Sequence, residues 1–170
     1  MRWDKLTVMS QEAFQMAQAK ALELGHQELK PEHLLWSFLN QEGNIVNNLL
    51  SKIEINQAEV RQELDRMLSR LPRIQGTGEV YLSSQLREVM AEAEKEAEKL
   101  KDEYISTEHI FLAMLRLKNL DVNRLLNRFR IDENAVYKAL MDIRGTQRIT
   151  DAEPESKYQA LEKYARDLTA

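Results

Sequence analysis

The chain has 170 residues, which is enough for one domain that folds by itself. Its 24 Lys and Arg and 28 Asp and Glu give a formal net charge of −4, and the basic residues form no cluster along the chain. A nucleic-acid-binding face is therefore not expected. Because the chain has no cysteine, disulfides, thiolate nucleophiles and cysteine metal sites are excluded. It also lacks a signal peptide and any apolar run of roughly 18 residues, which predicts a cytoplasmic domain that does not enter a membrane.

The first predicted helix has an apolar stripe at helical spacing. The stripe consists of Ala13, Phe14, Ala17, Ala21 and Leu24. Thr7 or Ser10 is the expected N-cap, because either hydroxyl can accept a hydrogen bond from the first turn. Gly25 stands where a helix of this length is expected to stop.

Three more helices follow in the first half of the chain. One begins at Pro31, since proline is favoured in the first helical turn, where its missing N–H costs nothing. A short helix is predicted over 44–52, and a longer one over 56–70, which Pro72 ends.

The second half repeats the first at an offset of 76 residues. Residues 82–144 align with residues 6–68 without a gap, and Glu32-His33 falls on Glu108-His109. The register favours Thr7 over Ser10 as the cap, because Thr7 aligns with Ser83. Helices are therefore predicted again, over 83–101, 107–117, 121–128 and 132–144.

Self-similarity at a fixed period indicates a duplicated structural unit. We therefore predict an all-α fold in which two tandem four-helix repeats (repeat one 6–68, repeat two 82–144), eight helices in all, pack as one pseudo-twofold domain over residues 1–145. Residues 72–81 link the copies, and residues 146–170 form a polar linker and a final apolar stripe. The stripe, which we expect to dock on the domain or on something beyond Ala170, consists of Tyr158, Leu161, Tyr164 and Leu168.

Motifs for catalysis and for cofactors are missing from the sequence. There is no G-x-x-x-x-G-K-[ST] phosphate loop, and His26, His33 and His109 stand outside the H-E-x-x-H pattern, so neither a nucleotide nor a metal site is expected. Glu32 and Glu108 each fall in the first turn of a helix, where an acid complements the helix dipole. The sequence predicts a binding domain and not an enzyme.

The first helix of the second copy is dense in Glu and Lys. Glu92–Lys95 and Glu96–Lys99 have the i, i+3 spacing of exposed ion pairs, each worth perhaps 0.2–0.5 kcal/mol. A solvated helix face is the expected result.

The repeated segments resemble a known family. Residues 29–35 (LKPEHLL) and 105–111 (ISTEHIF) are similar to the signature of the Clp N-terminal domain, which is a duplicated four-helix unit. Residues 1–7, 70–78 and 158–169 resemble the ClpB branch of that family, the disaggregase chaperones.

The resemblance implies the substrate-binding N-terminal domain of an ATP-dependent disaggregase, which captures exposed segments of unfolded or aggregated polypeptide. ATP and Mg²⁺ would belong to AAA+ modules that are absent here, so this fragment would need no cofactor. Those modules would assemble a homohexamer, the fragment alone would be a monomer, and cooperation with the DnaK chaperone system is implied. No nucleic acid or membrane is an expected partner.

Thr7, Asp102 and Glu108 match positions that the family links to substrate handling. Each also has a structural interpretation: Thr7 as a cap, Asp102 as a loop residue and Glu108 as a partner of the helix dipole. Both roles stay open at this point.

Other functions also stay open. The chain could be the N-domain of a ClpC- or ClpA-type unfoldase that recruits adaptors for a protease, or a spacer that binds no client. Family members are thought to offer an apolar groove at the seam between the copies. The charges of the helix over 83–101 would weaken such a groove for apolar segments and favour basic ones.

Overall fold

The computed structural model describes residues 3–74, 78–145 and 147–154. Within them lie a 3₁₀ turn at Trp3–Lys5 and two two-residue strands, β1 at Glu28–Leu29 and β2 at Tyr81–Leu82. The eight helices are α1 Val8–Glu23, α2 Pro31–Asn40, α3 Ile45–Lys52, α4 Gln57–Ser69, α5 Ser84–Lys99, α6 Thr107–Arg116, α7 Asp121–Arg128 and α8 Glu133–Arg144. The predicted all-α class is confirmed, whereas the stripe at 158–168 lies outside the described residues.

The duplication is visible in the helix bounds. Adding 76 to the bounds of α1, α2 and α3 gives those of α5, α6 and α7, and α8 ends one residue before the image of α4. The left-handed turns repeat as well: Gly25 (φ 73°) corresponds to Lys101 (φ 60°), and Glu54 (φ 62°) to Arg130 (φ 58°). The second copy thus keeps the turn after its first helix without the glycine that ordinarily makes such a turn easy.

The helix starts follow the sequence signals. Thr7 is the N-cap of α1 and accepts a hydrogen bond from the backbone N–H of Ser10, and Ser83 does the same for α5 with Leu86. Pro31 is the first residue of α2. Leu24 departs from the prediction: it is the C-cap of α1 and is only half-buried, because the helix stops one residue before it.

The segment that precedes the first helix of each copy pairs with the other copy across the seam. Strand β2, which leads into the second copy, pairs in parallel with β1 of the first, and Leu6 forms an isolated parallel bridge with Ile105. The N–H of Thr7 donates to the carbonyl of Ile105 at 3.1 Å, and the N–H of Ser83 donates to the carbonyl of Leu29 at 3.0 Å. Strands of two residues are too short to show an alternation of apolar and polar side chains, so the periodicity of the sequence does not predict them.

A single hydrophobic core spans both copies. Phe38 of α2 and its counterpart Met114 of α6 are fully buried, as is Phe111 of α6. A buried side chain of this size contributes roughly 1.5–3 kcal/mol relative to an exposed one. The copies therefore stabilise each other and leave their outer faces free.

Candidate functional site

Thr7 is fully buried at the start of α1. Its hydroxyl accepts from the N–H of Ser10 at 3.2 Å and donates to the Ser10 hydroxyl at 2.9 Å, which in turn donates to the carbonyl of Ile105 at 3.0 Å. The cap of α1 is thus tied to the other copy. These contacts give Thr7 a structural role, and its part in substrate handling stays a prediction.

Asp102 is the centre of a buried polar cluster in the second copy. Its carboxylate accepts hydrogen bonds from His109 Nε2 at 2.8 Å, from Arg144 Nη1 and Nη2 at 2.9 and 2.5 Å, and from the N–H of Ile149 at 2.9 Å. Burial opposes ionisation, but the bonds from His109, Arg144 and Ile149 outweigh it and lower the pKa of Asp102 to about 2. Asp102 is therefore a carboxylate at neutral pH and fastens the end of α8 to the loop after α5.

The backbone sets the proton positions on both repeated histidines. The N–H of Ser106 donates to His109 Nδ1 at 3.0 Å, and the N–H of Lys30 donates to His33 Nδ1 at 2.9 Å. A ring nitrogen that accepts carries no proton, so each ring holds its proton on Nε2. The partners then differ: His109 donates to Asp102, whereas His33 donates to Nδ1 of His26 at 2.8 Å.

The first-copy histidines are held neutral. Burial is the main cause, and His26 and Lys30 add to it, so that the pKa of His33 falls to about 4. The pKa of His26 is also lowered, first by burial and then by the positive charges of Arg73 and Lys30.

Glu108 is fully buried in the first turn of α6. Its counterpart Glu32 is 2% exposed, lies 3.8 Å from Lys30 Nζ, and has a pKa raised by burial. Of the three predicted residues, Asp102 borders a cleft, while Thr7 and Glu108 are enclosed by the fold. Their role in client handling stays a prediction.

The acidic cleft opens beside Asp102 at the C-terminal end of α5. It has a volume of about 530 Å³. It is lined by Asp4, Lys5, Glu94, Ala97, Glu98, Asp102, Glu103, Tyr104 and Ile105. Five of these are carboxylates and one is a cation, so the cleft carries a negative potential.

The apolar cleft occupies the corresponding place in the first copy. It consists of two adjoining cavities, of about 290 and 40 Å³, that share His26, Gln27 and Ile74. Its remaining walls are Leu22, Gly25, Glu28, Lys30, Leu71, Pro72, Gly78 and Tyr81. Leu22, Ile74 and Tyr81 are 56, 49 and 48% exposed, large fractions for apolar side chains of this size.

The repeat register relates five wall residues of the two clefts. Three carboxylates of the acidic cleft correspond to uncharged residues of the apolar cleft, namely Glu98 to Leu22, Asp102 to His26 and Glu103 to Gln27. Lys5 corresponds to Tyr81 and Tyr104 to Glu28, whereas Gln18 and Val80, the counterparts of Glu94 and Asp4, border a separate cavity of about 320 Å³. One backbone scaffold therefore presents a charged cleft and an apolar one.

The predicted surface ion pairs of α5 are wrong. Glu96 is fully buried and binds Arg116 Nη1 at 2.7 Å, and Glu92 lies 3.4 Å from the same atom. Glu133 of α8 binds Arg116 Nη2 at 2.7 Å. No feature of the sequence predicts that a single arginine of α6 binds both acids. These two acids therefore brace α5 against α6 and α8 instead of lining a groove.

Neither a metal site nor a membrane-spanning helix is found among residues 3–74, 78–145 and 147–154. No group of three or more His, Asp or Glu side chains among them is placed to hold a metal ion. None of the helices in those ranges has the length and apolar character that a membrane span requires.

Comparison with known proteins identifies the repeats. Residues 5–129 match the model of the Clp repeat (R) N-terminal domain. The chain belongs to this family. Residues 29–35 and 105–111, which resemble the signature of this family, both lie inside the match.

The similar curated proteins are much longer than this chain. The chain is 40% identical over 166 residues to the chaperone protein ClpB of Bdellovibrio bacteriovorus, covering 97% of this chain and 19% of that protein. It is 36% identical over 171 residues to ClpB of Bacillus cereus, covering 98% and 20%. It thus spans about a fifth of their length and is a ClpB-type N-domain.

Solved structures confirm the fold. The Hsp104 N-terminal domain from Candida albicans superimposes with a TM-score of 0.79 at 20% identity, over 89% of this chain and 99% of that one. A ClpV N-domain solved in complex with a VipB peptide has a TM-score of 0.68 at 24% identity, over 81% and 86%.

Proposed function

We propose that this domain captures exposed apolar segments of unfolded or aggregated polypeptide for an ATP-dependent ClpB-type disaggregase, and that the apolar cleft is its binding surface. The observation that carries the proposal is the exposure of Leu22, Ile74 and Tyr81 around one concave site. Contiguous exposed apolar surface on a folded domain marks an interaction site. That a ClpV N-domain has been solved with a bound peptide supports a polypeptide ligand.

The size of the cleft favours weak binding. Covering three half-exposed side chains removes modest apolar area from water, at roughly 25 cal/mol per Å², and the association entropy offsets much of the gain. A reversible complex suits a domain that must hand its client on.

The remaining activity belongs to the rest of the protein in this proposal. AAA+ modules bind ATP and Mg²⁺, form the homohexamer and thread the client, in cooperation with a DnaK system in the cytoplasm. This domain contributes binding and no catalysis. The names of its relatives favour the ClpB branch over a ClpC- or ClpA-type protease partner.

A residue exchange between the copies tests the binding surface. Leu22→Glu and Tyr81→Lys give the apolar cleft the residue types that the acidic cleft has at the corresponding positions, Glu98 and Lys5. The affinity for a fluorescent, reduced and alkylated unfolded protein should fall by about tenfold or more, measured by anisotropy.

Glu94→Gln is the matched control, because it changes an exposed wall residue of the acidic cleft. It should leave the affinity within about twofold. Unchanged binding by the doubly exchanged variant, with its circular dichroism intact, would refute the apolar cleft as the client site.

A further inference from the structure

Residues 147–152, which we call the strap, stay on the domain after α8 ends. The N–H of Ile149 donates to the Asp102 carboxylate at 2.9 Å, and the carbonyl of Ile149 accepts from the N–H of Glu103 at 2.8 Å. The side chain of Ile149 is fully buried in the hydrophobic core. The middle of the strap is thus fixed to the loop after α5.

The far end of the strap lies beside the start of α1. The carbonyl of Ala152 accepts from the N–H of Val8 at 2.8 Å. The N–H groups in the first turn of a helix have no partner within that helix, and the strap supplies one for α1. The strap therefore crosses from the last helix of repeat two to the first helix of repeat one.

The corresponding segment of the first copy is held differently. In the repeat register Ile149 corresponds to Arg73, which is exposed. The next residue, Ile74, donates its N–H to the carbonyl of Gly25 at 2.9 Å, but its side chain is 49% exposed. The duplicated fold therefore forms without a buried side chain at this position, and the burial of Ile149 is particular to the second copy.

Release of the strap would leave the buried charges of the second copy paired. Asp102 would keep the hydrogen bonds from His109 and from Nη1 and Nη2 of Arg144. Arg144 would lose the carbonyl of Gln147 and keep the Asp102 carboxylate. Thr7 would still cap α1 through its side chain. The strap can therefore detach without the cost of an unpaired buried charge.

We propose that the strap is a releasable joint that gives the domain two tether lengths. Docked, it holds Ala152 beside the start of α1. Released, it moves the last fixed point of the chain back to Gly145 at the end of α8. The residues between these two positions then lengthen the tether by up to about 25 Å, at roughly 3.6 Å for each extended residue.

The strap is attached more lightly than a core helix. Ile149 is the one buried side chain among residues 147–152, and segments with few buried apolar contacts open while the rest of a domain stays folded. The inference goes beyond the proposed function, because it concerns the reach of the domain and not the surface that holds a client. A longer tether lets the domain meet clients farther from the AAA+ modules of that proposal.

Amide hydrogen exchange of the 170-residue chain tests the strap directly. The N–H groups of Val8, Glu103 and Ile149 all take part in strap contacts, so one opening should expose all three. Their protection factors should agree within about threefold and lie at least about tenfold below that of Leu112 in α6. Their opening should also respond only weakly to urea, because little surface becomes exposed.

A matched pair of variants places an aspartate at neighbouring positions of the strap. Ile149→Asp puts a charge where a buried apolar side chain packs, and exchange at Val8 and Glu103 should become at least about tenfold faster while Leu112 stays protected. Thr150→Asp adds the same charge at an exposed residue and should leave both rates within about twofold.

Three outcomes would overturn the inference. If Val8, Glu103 and Ile149 exchange with the protection and urea dependence of Leu112, the strap opens only when the whole domain unfolds. If they show no protection in the unmodified chain, the strap is not docked. If Ile149→Asp removes the protection of Leu112, the segment is an inseparable part of the core. The anisotropy titrations judge the proposed function separately, because none of these results depends on client binding.

Discussion

The buried polar pairs of the two copies occupy the same backbone positions with different chemistry. In the second copy, His109 donates to Asp102, whose charge is balanced by Arg144. In the first, His33 donates to neutral His26, and apolar Leu68 stands where Arg144 would be. The duplicated fold requires an acceptor for the histidine Nε2–H and tolerates either a charged or an uncharged one.

The outer clefts differ in the same sense. The second copy surrounds Asp102 with further carboxylates, whereas the first surrounds His26 with exposed apolar side chains. The core and seam contacts are equivalent in the two copies, so the exposed residues of each cleft can differ without loss of the fold. At these clefts the first copy therefore presents an apolar surface and the second a charged one.

The largest expected difference between the copies follows from removing each acceptor. Asp102→Ala removes the carboxylate that balances the charge of the buried Arg144 and should reduce the free energy of unfolding by about 3–5 kcal/mol. His26→Ala removes one neutral hydrogen bond and should cost about 1–3 kcal/mol. Urea denaturation followed by circular dichroism compares the two, and equal losses would show that the charge on Asp102 is unimportant.

A double exchange sharpens this comparison. Asp102→His with Arg144→Leu transplants the first-copy pair and removes both buried charges together. It should be more stable than Asp102→Ala alone, because no unpaired charge remains. A double variant less stable than Asp102→Ala would mean that the two environments are not interchangeable.

Acid titration probes the first copy. The pKa of His33 is about 4 in the folded chain and about 6.5 when unfolded, so the unfolded chain binds the proton first. Stability should be full above pH 6.5 and fall by about 1–3 kcal/mol as the pH drops towards 4. His26 and His109, with lowered pKa values, act in the same direction.

Asp102 acts at lower pH. Its pKa of about 2 in the folded chain means that its contribution is present above about pH 4 and is lost between about pH 4 and 2. Urea midpoints measured from about pH 7.5 to about pH 2 follow both steps. His33→Gln should flatten the upper step, and a stability independent of pH between 6.5 and 4.5 would contradict the assignment.

The smallest expected difference concerns the two equivalent caps. Thr7→Val removes a cap that is also bonded to Ser10 and through it to Ile105, and it should cost about 1–2 kcal/mol. Ser83→Ala removes a simple cap and should cost about 0.5–1 kcal/mol. Thermal unfolding ranks them, and a larger loss for Ser83→Ala would refute the extra role of Thr7.

The helices were predictable because the repeat doubled each local signal. Thr7 and Ser83 cap equivalent helices, and Pro31 marks the start of α2. The clefts were harder to predict. Glu96 has the spacing of a surface residue, but it is buried in an ion pair with Arg116, which lies 20 positions away in the sequence. Leu22 is the residue from which the apolar cleft could have been predicted, because a leucine on the outer face of α1 does not contribute to the core.

An amide chemical-shift map of the 170-residue chain, titrated with a reduced and alkylated unfolded protein, tests the central claim most directly. The account predicts the largest shifts at Leu22, His26, Ile74 and Tyr81, with the acidic cleft unaffected. Shifts centred on Glu94, Glu98 and Glu103 would contradict it, because clients would then be held by the charged copy.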